Sequence, residues 1–324
     1  MNKFKIFILP ILTSFTLFSS MLYSQVEYYY TNSFEYSLIS PSNVFNNQYI
    51  ADEYCSFPNR TDSSQINNQK KFGLNSYLLV NPTNFTFNLT PQYRINNFIL
   101  SINIPYNLLI WDAVKNLGDI YFKTSYSLNF NKLTNTSSLG FSIPTGYYKE
   151  YTWYLSIRNG SGTWDIHFSN HLQLDFNRYG IYTNFNLRYG LFTGSQDFTY
   201  IPESGNYPED THYKFKNGTV SSLTCGTYFE PFNRFRLHLG IGTIYNHLNK
   251  FIKTSYDLID NSTYFVEVNN GDQQFLYSDI RFGLTYQLRK LSFSLFIMKP
   301  IVQKIHKTTY RDFEPVFRIN WKIF

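Results

Sequence analysis

The sequence predicts an all-β fold, a transmembrane antiparallel up-and-down β-barrel of about 12 strands, over residues 72–324. The first observation behind this prediction is the stretch 163–192, where apolar and polar residues alternate on both sides of a short turn at 177–180. Period-two alternation sends successive side chains to opposite faces of a strand. Strands of soluble domains usually have about five or six residues. A tilted strand that crosses a bilayer needs about 9–11 residues, and both halves of this stretch are that long.

The second observation is the composition. Aromatic residues make up 20% of the chain and charged residues only 15%, yet the mean hydropathy is -0.30. A helical membrane protein would have a higher mean hydropathy. Strands that are half apolar and half polar, with aromatic girdles at two membrane interfaces, give the combination found here. A tyrosine-rich soluble β-sandwich is the alternative that composition alone leaves open.

The third observation is that short and long connections alternate along the chain. Tight turns are predicted near 94–96, 132–135, 177–180, 231–233 and 289–290, and long polar connections at 107–118, 145–162, 192–218, 246–274 and 299–313. The brief outer connection at 81–83 is the exception. Bacterial outer-membrane barrels have short periplasmic turns, longer external loops and an even number of strands, so both chain ends lie on the periplasmic side. A soluble sandwich has no reason to sort its connections by length.

The predicted order of elements begins with a signal peptide at residues 1–24. Two lysines precede an apolar run at 6–18, which Pro10 interrupts and which is too short for an ordinary spanning helix. The next segment, 25–71, is polar, aromatic and poorly periodic. A periplasmic extension, a segment inside the lumen and an additional strand pair are all open interpretations of it. The leader and the barrel pattern together place the protein in the bacterial outer membrane.

The rest of the chain consists of alternating runs, each of which we predict to be a strand. The predicted strands are 72–80, 84–93, 97–106, 119–130, 136–144, 163–176, 180–191, 219–229, 234–245, 275–288, 291–298 and 314–324. Within hydrocarbon every backbone N–H and C=O must be paired, so only helices or a closed sheet can span a bilayer. No apolar run in this region is long enough for a spanning helix, so the strands are predicted to close into a barrel.

Charged and imidazole side chains recur on the polar phase of these strands, which faces the lumen of a barrel. The predicted pore-lining residues are Lys123, Asp165, His167, His171, Asp175, Arg188, Arg236, His238, Asp279 and Arg281. One interpretation is a mixed-charge lining that selects solutes. The other is that these groups pair across a narrow lumen and plug it, as in small barrels. The sequence does not choose between them.

Two chemical alternatives involve the first strand of the long hairpin. His167 and His171 share a face with Asp165 and Asp175, and these are competent metal ligands. Same-face neighbours along a strand are nevertheless about 7 Å apart, so we predict no metal site. His167 and Ser169 resemble the active-site strand of the outer-membrane phospholipase, in which a Ser–His pair faces lipid. Here the alternation places both residues on the polar face, so a hydrolase is kept only as an alternative and the chain is predicted not to be an enzyme.

Three motifs resemble a bacterial outer-membrane family named for the meta-pathway of phenol degradation. Residues 117–119 (Leu-Gly-Asp) open one strand and residues 144–146 (Pro-Thr-Gly) close the next. Residues 160–162 (Gly-Ser-Gly), with Asp165, open a third. The resemblance implies a β-barrel channel that admits small hydrophobic or aromatic molecules. A non-conducting surface barrel, whose loops 192–218 and 246–274 bind a partner, is a further alternative.

The remaining features limit the partners that the chain is expected to have. The formal net charge is +6 and the basic residues are not clustered on one element, so nucleic acid is not an expected partner. No cofactor or energy-coupling motif is visible, so solutes are expected to move passively. Outer-membrane lipid, a small-molecule solute and the outer-membrane assembly machinery are the expected partners. Cys55 and Cys225 are far apart in the sequence, and their pairing is left open.

Overall fold

The computed structural model describes residues 71–81, 84–108, 115–146, 164–191, 194–200, 209–216, 219–247, 250–257, 263–268, 275–288, 290–304 and 314–322. The predicted signal peptide and almost all of the segment 25–71 lie outside these ranges. In chain order the strands are β1 (Lys71–Asn81), β2 (Asn84–Ile95), β3 (Phe98–Leu108), β4 (Lys115–Leu117), β5 (Ile120–Phe130), β6 (Leu133–Ile143), β7 (Asp165–Phe176), β8 (Tyr179–Gly190), β9 (Gly194–Tyr200), β10 (Glu209–Lys216), β11 (Thr219–Phe232), β12 (Phe235–His247), β13 (Lys250–Asp257), β14 (Thr263–Val268), β15 (Phe275–Leu288), β16 (Leu291–Lys304) and β17 (Glu314–Lys322). Within the described ranges, no helix has the length and apolar character needed to cross a membrane.

A closed antiparallel barrel of 12 strands contains most of the described residues. The order around the barrel is β1, β2, β3, β5, β6, β7, β8, β11, β12, β15, β16 and β17, and β17 pairs with β1 to close the ring. The short strand β4 adds a pairing beside β3. Each predicted strand corresponds to one strand of this barrel, which confirms the predicted fold class. Closure matters because it leaves no row of unpaired backbone groups for lipid or another chain to meet.

Two-residue turns connect the strands at one end of the barrel. Asn96, Asn131, Asn177 and Arg234 adopt positive φ angles of 53°, 50°, 53° and 74° in these turns. Asparagine tolerates the left-handed region better than most residues with a side chain, which explains why three of the four positions carry it. The first barrel strand begins, and the last one ends, at this same end of the barrel. The long connections all lie at the opposite end.

Besides β4, which lies in the predicted connection 107–118, two other long connections contain strands that the sequence analysis did not predict. β9 and β10 lie between β8 and β11, while β13 and β14 lie between β12 and β15. They form a separate four-stranded antiparallel sheet in the order β14, β13, β10, β9. The central pairing joins β10 to β13, so strands of the two connections are hydrogen-bonded to each other along their backbones. Stretches that the sequence analysis described only as long and polar are thus regular strands.

The two faces of the barrel wall have opposite chemistry. On β7, Asp165 and His167 are each 1% exposed, whereas the intervening Ile166 is 40% exposed. The same alternation continues around the ring: most of the buried inward side chains are polar or charged, and most of the exposed outward ones are apolar or aromatic. A soluble domain shows the reverse arrangement. Because apolar groups cover the outside of a closed sheet, this barrel is built to span a membrane.

Exposed aromatic rings mark both rims of the apolar outer face. Phe98, Phe130, Tyr179 and Phe232 are exposed next to the two-residue turns, and Trp164 is exposed at the opposite end. Aromatic side chains prefer the interface between hydrocarbon and headgroups. The rings therefore indicate where the two membrane interfaces cross the strands.

Candidate functional site

The first polar cluster of the inner wall joins β6, β7 and β8. Arg188 Nε donates to Asp165 Oδ2 over 2.9 Å, and Ser142 Oγ donates to the same oxygen over 3.4 Å. His167 Nε2 lies 3.0 Å from Ser142 Oγ. All four side chains are buried. Register explains the cluster: His167 lies directly opposite Arg188, and Ser142 lies directly opposite Asp165, so three neighbouring strands bring the groups together.

The second cluster is a two-bond ion pair within β15. Arg281 Nε donates to Asp279 Oδ1 over 2.9 Å and Arg281 Nη2 donates to Asp279 Oδ2 over 3.0 Å. Arg281 Nη1 also lies 3.5 Å from Thr224 Oγ1 on β11, across the inner wall. Asp279 is 0% and Arg281 3% exposed. The fork of the guanidinium matches the two carboxylate oxygens, which fixes both side chains against the wall.

The third cluster combines charged and aromatic groups near the turn end of β11 and β12. Arg236 Nε donates to Glu230 Oε2 over 3.4 Å, and its guanidinium lies 4.6 Å from the ring centroid of Tyr228. The Tyr228 hydroxyl donates to Asp175 on β7. The His238 ring centroid lies 6.0 Å from that of Tyr228 and 6.3 Å from that of Tyr182. Cation–π contact and ion pairing hold Arg236 in place.

Glycines on the inner wall make room for the two tyrosine rings. A Cβ at Gly180 would lie 2.6 Å from the Tyr228 ring, and a Cβ at Gly226 would lie 2.6 Å from the Tyr182 hydroxyl. Each glycine is directly opposite the tyrosine concerned in the strand register. The rings can therefore lie close to the wall rather than project across the lumen. Any side chain at either glycine would push its tyrosine inward.

The predicted pore-lining residues fall into these clusters or beside them. Asp165, His167 and Arg188 meet in the first cluster, Asp279 and Arg281 in the second, and Arg236, His238 and Asp175 in the third. His171 is part-buried, with Nε2 3.5 Å from Gln173 Oε1, and Gln173 Nε2 donates to Asp175 Oδ1 over 2.7 Å. Lys123 is part-buried on β5 and makes further interactions. All ten lie on the inward phase of their strands.

Several inner-wall residues were missed by the sequence analysis. Ser142 and Thr224 are small and polar, and only the register shows that they face charged groups on neighbouring strands. Glu230 was missed because the predicted strand ended at residue 229, before Pro231, whereas β11 continues to Phe232. Tyr182 and Tyr228 occupy the inward phase, but the sequence does not separate a tyrosine in the lumen from one in an interfacial girdle.

One sector of the inner wall is apolar, and the sequence analysis did not identify it. We define the apolar sector by six buried inward side chains on β1, β12, β15 and β16: Tyr77, Leu79, Ile244, Tyr277, Phe296 and Met298. Charged groups lie among them, since Met298 is directly opposite Arg281 and the Arg318 guanidinium lies 4.1 Å from the Tyr77 ring centroid. Ile244 lies directly opposite Tyr277 in the register. On the other side of the lumen, the inner faces of β5, β6 and β7 carry Ser125, Ser138, Ser142 and Ser169. The inner wall therefore carries more apolar side chains on the side of the apolar sector than on the side of β5, β6 and β7.

The observed positions of the inner-wall residues can be compared with the phospholipase-like and metal-site alternatives. His167 and Ser169 are both buried on the inner face, whereas the phospholipase-like arrangement needs them to face lipid. The hydroxyl that contacts His167 belongs to Ser142. In the part of the chain that the structure describes, no group of three or more His, Cys, Asp or Glu residues could hold a metal ion. Cys225 is a free thiol on the outer face, and Cys55 lies outside the described ranges.

Comparison with known proteins identifies similar folds. No protein-family model and no curated protein matches this chain. Among solved structures it is similar to an outer-membrane channel from Pseudomonas putida F1, with a TM-score of 0.52 and 10% identity over 82% of this chain and 100% of that chain. It is also similar to the monoaromatic hydrocarbon channel CymD, with a TM-score of 0.49 and 13% identity over 78% of this chain and 87% of that chain. The first similarity shows a shared fold, a β-barrel of the outer-membrane type, as the sequence predicts.

Proposed function

We propose that this chain is a bacterial outer-membrane channel through which small hydrophobic or aromatic molecules pass down their gradients. The observation that carries the proposal is the closed ring of 12 strands with an apolar outer face and a polar inner face. Such a ring places a hydrogen-bonding surface in the middle of a hydrocarbon layer, which is what a solute pathway requires. The fold shared with an outer-membrane channel is consistent with this proposal.

The charge arrangement of the inner wall favours uncharged solutes. The three buried arginines that line the clusters each have a carboxylate partner: Arg188 with Asp165, Arg236 with Glu230, and Arg281 with Asp279. Paired charges present local dipoles rather than a strong field of one sign. A pathway lined in this way neither concentrates nor repels ions strongly. In this proposal the ten predicted residues line the pathway and supply its hydrogen-bonding groups.

The apolar sector supports the hydrophobic part of the proposal. Phe296 and Met298 are adjacent inward positions on β16, and Tyr277 lies on the neighbouring strand β15. An aromatic solute that contacts aromatic side chains gains about 0.5–1.5 kcal/mol beyond the burial of its area. The serine-rich opposite side can at the same time hydrogen-bond a hydroxyl group on the solute. A small phenol-like molecule matches both sides of this lumen.

Planar-bilayer recordings with phenol as a blocker test the proposal. We expect the purified full-length protein to conduct ions, and we expect added phenol to reduce the current by occupying the lumen. The double variant Phe296→Asn/Met298→Asn should still conduct but should need between about twofold and about tenfold more phenol for the same block, because it removes the apolar contact. Ser222→Ala, an inward substitution on β11 that lies outside both the apolar sector and the serine-rich side, is the matched control and should leave the block unchanged.

Two outcomes would contradict the proposal in different ways. Bilayers that stay silent with correctly folded protein would reject a channel and favour the non-conducting surface barrel. If the double variant and Ser222→Ala altered the phenol block equally, the channel would stand but the apolar sector would be rejected as the solute contact.

A further inference from the structure

Three polar side chains interrupt the apolar outer face where β6 and β7 pair. Asn170 Nδ2 donates to Asn135 Oδ1 and to Ser137 Oγ, each over 2.9 Å. Asn170 is in phase with the exposed Ile166, Phe168 and Leu172, so this cluster lies on the outside of the barrel. Among the barrel residues whose side chains the structure describes, Asn135 and Asn170 are the two amides on the outer face. We call these three residues the outer amide patch.

The outer amide patch lies at the depth of the hydrocarbon. Asn170 lies near the middle of β7 and Ser137 near the middle of β6, while the exposed Phe130 and Tyr179 mark the interface at the turn end. The apolar band of such barrels is about 25 Å tall. A side chain midway along a strand is therefore far from both headgroup layers. Asn135, the third residue of β6, lies nearer the turn end than Ser137 and Asn170, so the patch extends from mid-strand toward that end.

The two hydrogen bonds within the patch satisfy only part of its bonding capacity. An asparagine side chain offers two donors and a carbonyl acceptor. Both bonds use Nδ2 of Asn170, so within the described residues neither bond uses Nδ2 of Asn135 or Oδ1 of Asn170. A polar group left without a partner in hydrocarbon is costly. A lipid acyl chain cannot provide that partner, whereas another protein surface can.

We propose that the outer amide patch is the centre of a dimer interface with a second copy of this chain. Asn135 and Asn170 are half-buried on the outer face, and an amide donor beside an amide acceptor is self-complementary. A two-fold axis through the patch would bring Nδ2 of Asn135 in one copy to Oδ1 of Asn170 in the other, and the reverse. Polar side chains of this kind hold membrane segments together. Exposed Leu139, Leu172 and Phe185 surround the patch and supply apolar packing.

Site-directed cross-linking in outer membranes tests this dimer. In the full-length chain with Cys55→Ser and Cys225→Ser, Leu172→Cys places a thiol at the patch, and Ile280→Cys places one on β15, four strands away around the ring. A short membrane-permeable bis-maleimide should convert the Leu172→Cys protein to a band of doubled mass. It should leave the Ile280→Cys protein monomeric. Adding Asn170→Leu to the first variant should weaken association by about threefold to about thirtyfold, the range for hydrogen bonds between membrane segments.

Three results would overturn the proposal. Equal cross-linking at both positions would mean random collision, and an adduct of another mass would mean that a different protein covers the patch. No adduct at Leu172→Cys would mean that lipid covers it. Asn135→Leu serves as a second test of the amide contact, and heat-modifiable gel mobility confirms that each variant remains a folded barrel.

Discussion

Replacing Arg281 with methionine is expected to lower the free energy of unfolding by about 3–5 kcal/mol, because it leaves a buried carboxylate without its cation. Asp279 is fully buried and receives two hydrogen bonds from Arg281. Losing the guanidinium therefore removes the ion pair. The Asp279 carboxylate also stays buried, with no cation to offset the free energy of removing it from water. Urea unfolding of the protein in lipid vesicles, followed by tryptophan fluorescence, measures the change.

The double variant Arg281→Met/Asp279→Leu separates these two causes. The double variant has no unpaired buried carboxylate, so we expect it to be more stable than Arg281→Met alone. Arg178→Met, which removes an exposed cation in the two-residue turn between β7 and β8, is the control and should change stability little. If Arg281→Met and Arg178→Met gave the same small change, the ion pair would not be buried in the folded protein.

Replacing Ile241 with arginine is expected to cost about 2–4 kcal/mol in lipid vesicles, since the charge would meet the bilayer midplane. Ile241 is 54% exposed at the middle of β12. In a soluble protein an exposed isoleucine accepts arginine with little change in stability. The same urea titration in vesicles measures the cost.

Leu291→Arg is the matched control for this substitution. Leu291 is also exposed on the outer face, but it is the first residue of β16 and adjoins a two-residue turn. Near the interface the cost of arginine falls to about 0–1 kcal/mol. Equal costs at both positions would contradict the depth assigned to the middle of β12 and with it the membrane-spanning orientation of the barrel.

The barrel strands could be predicted because each carries its own period-two pattern. Alternation of apolar and polar residues is a local signal, and the alternation of short and long connections is visible along the chain. Strand ends were less accurate where prolines occur. β16 continues past Pro300 because that residue lies opposite a register shift between Ser278 and Asp279, where a missing N–H is tolerated.

The sequence predicts which side chains face the inside of the barrel, but not which side chains they contact there. Alternation places Asp165, His167 and Arg188 inward, and the structure brings them together. The alternation does not give the register between strands, and this register brings His167 into contact with Ser142. The apolar sector was missed for the same reason, since its six residues come from β1, β12, β15 and β16, which the closed ring brings to one side of the lumen with β17 between β16 and β1. The sheet of β9, β10, β13 and β14 depends on pairing between two distant connections, which no local pattern encodes.

A fluorescence-quenching scan along β7 tests most directly the claim that this cylinder is apolar outside and polar inside. Single cysteines at Ile166, His167, Phe168 and Ser169 are labelled in the unfolded chain, which is then refolded into vesicles of lipids with brominated acyl chains. We expect strong quenching at Ile166 and Phe168 and weak quenching at His167 and Ser169, because the first pair is exposed outward and the second is buried inward. Strong quenching at His167 and Ser169, or equal quenching at all four positions, would contradict the account.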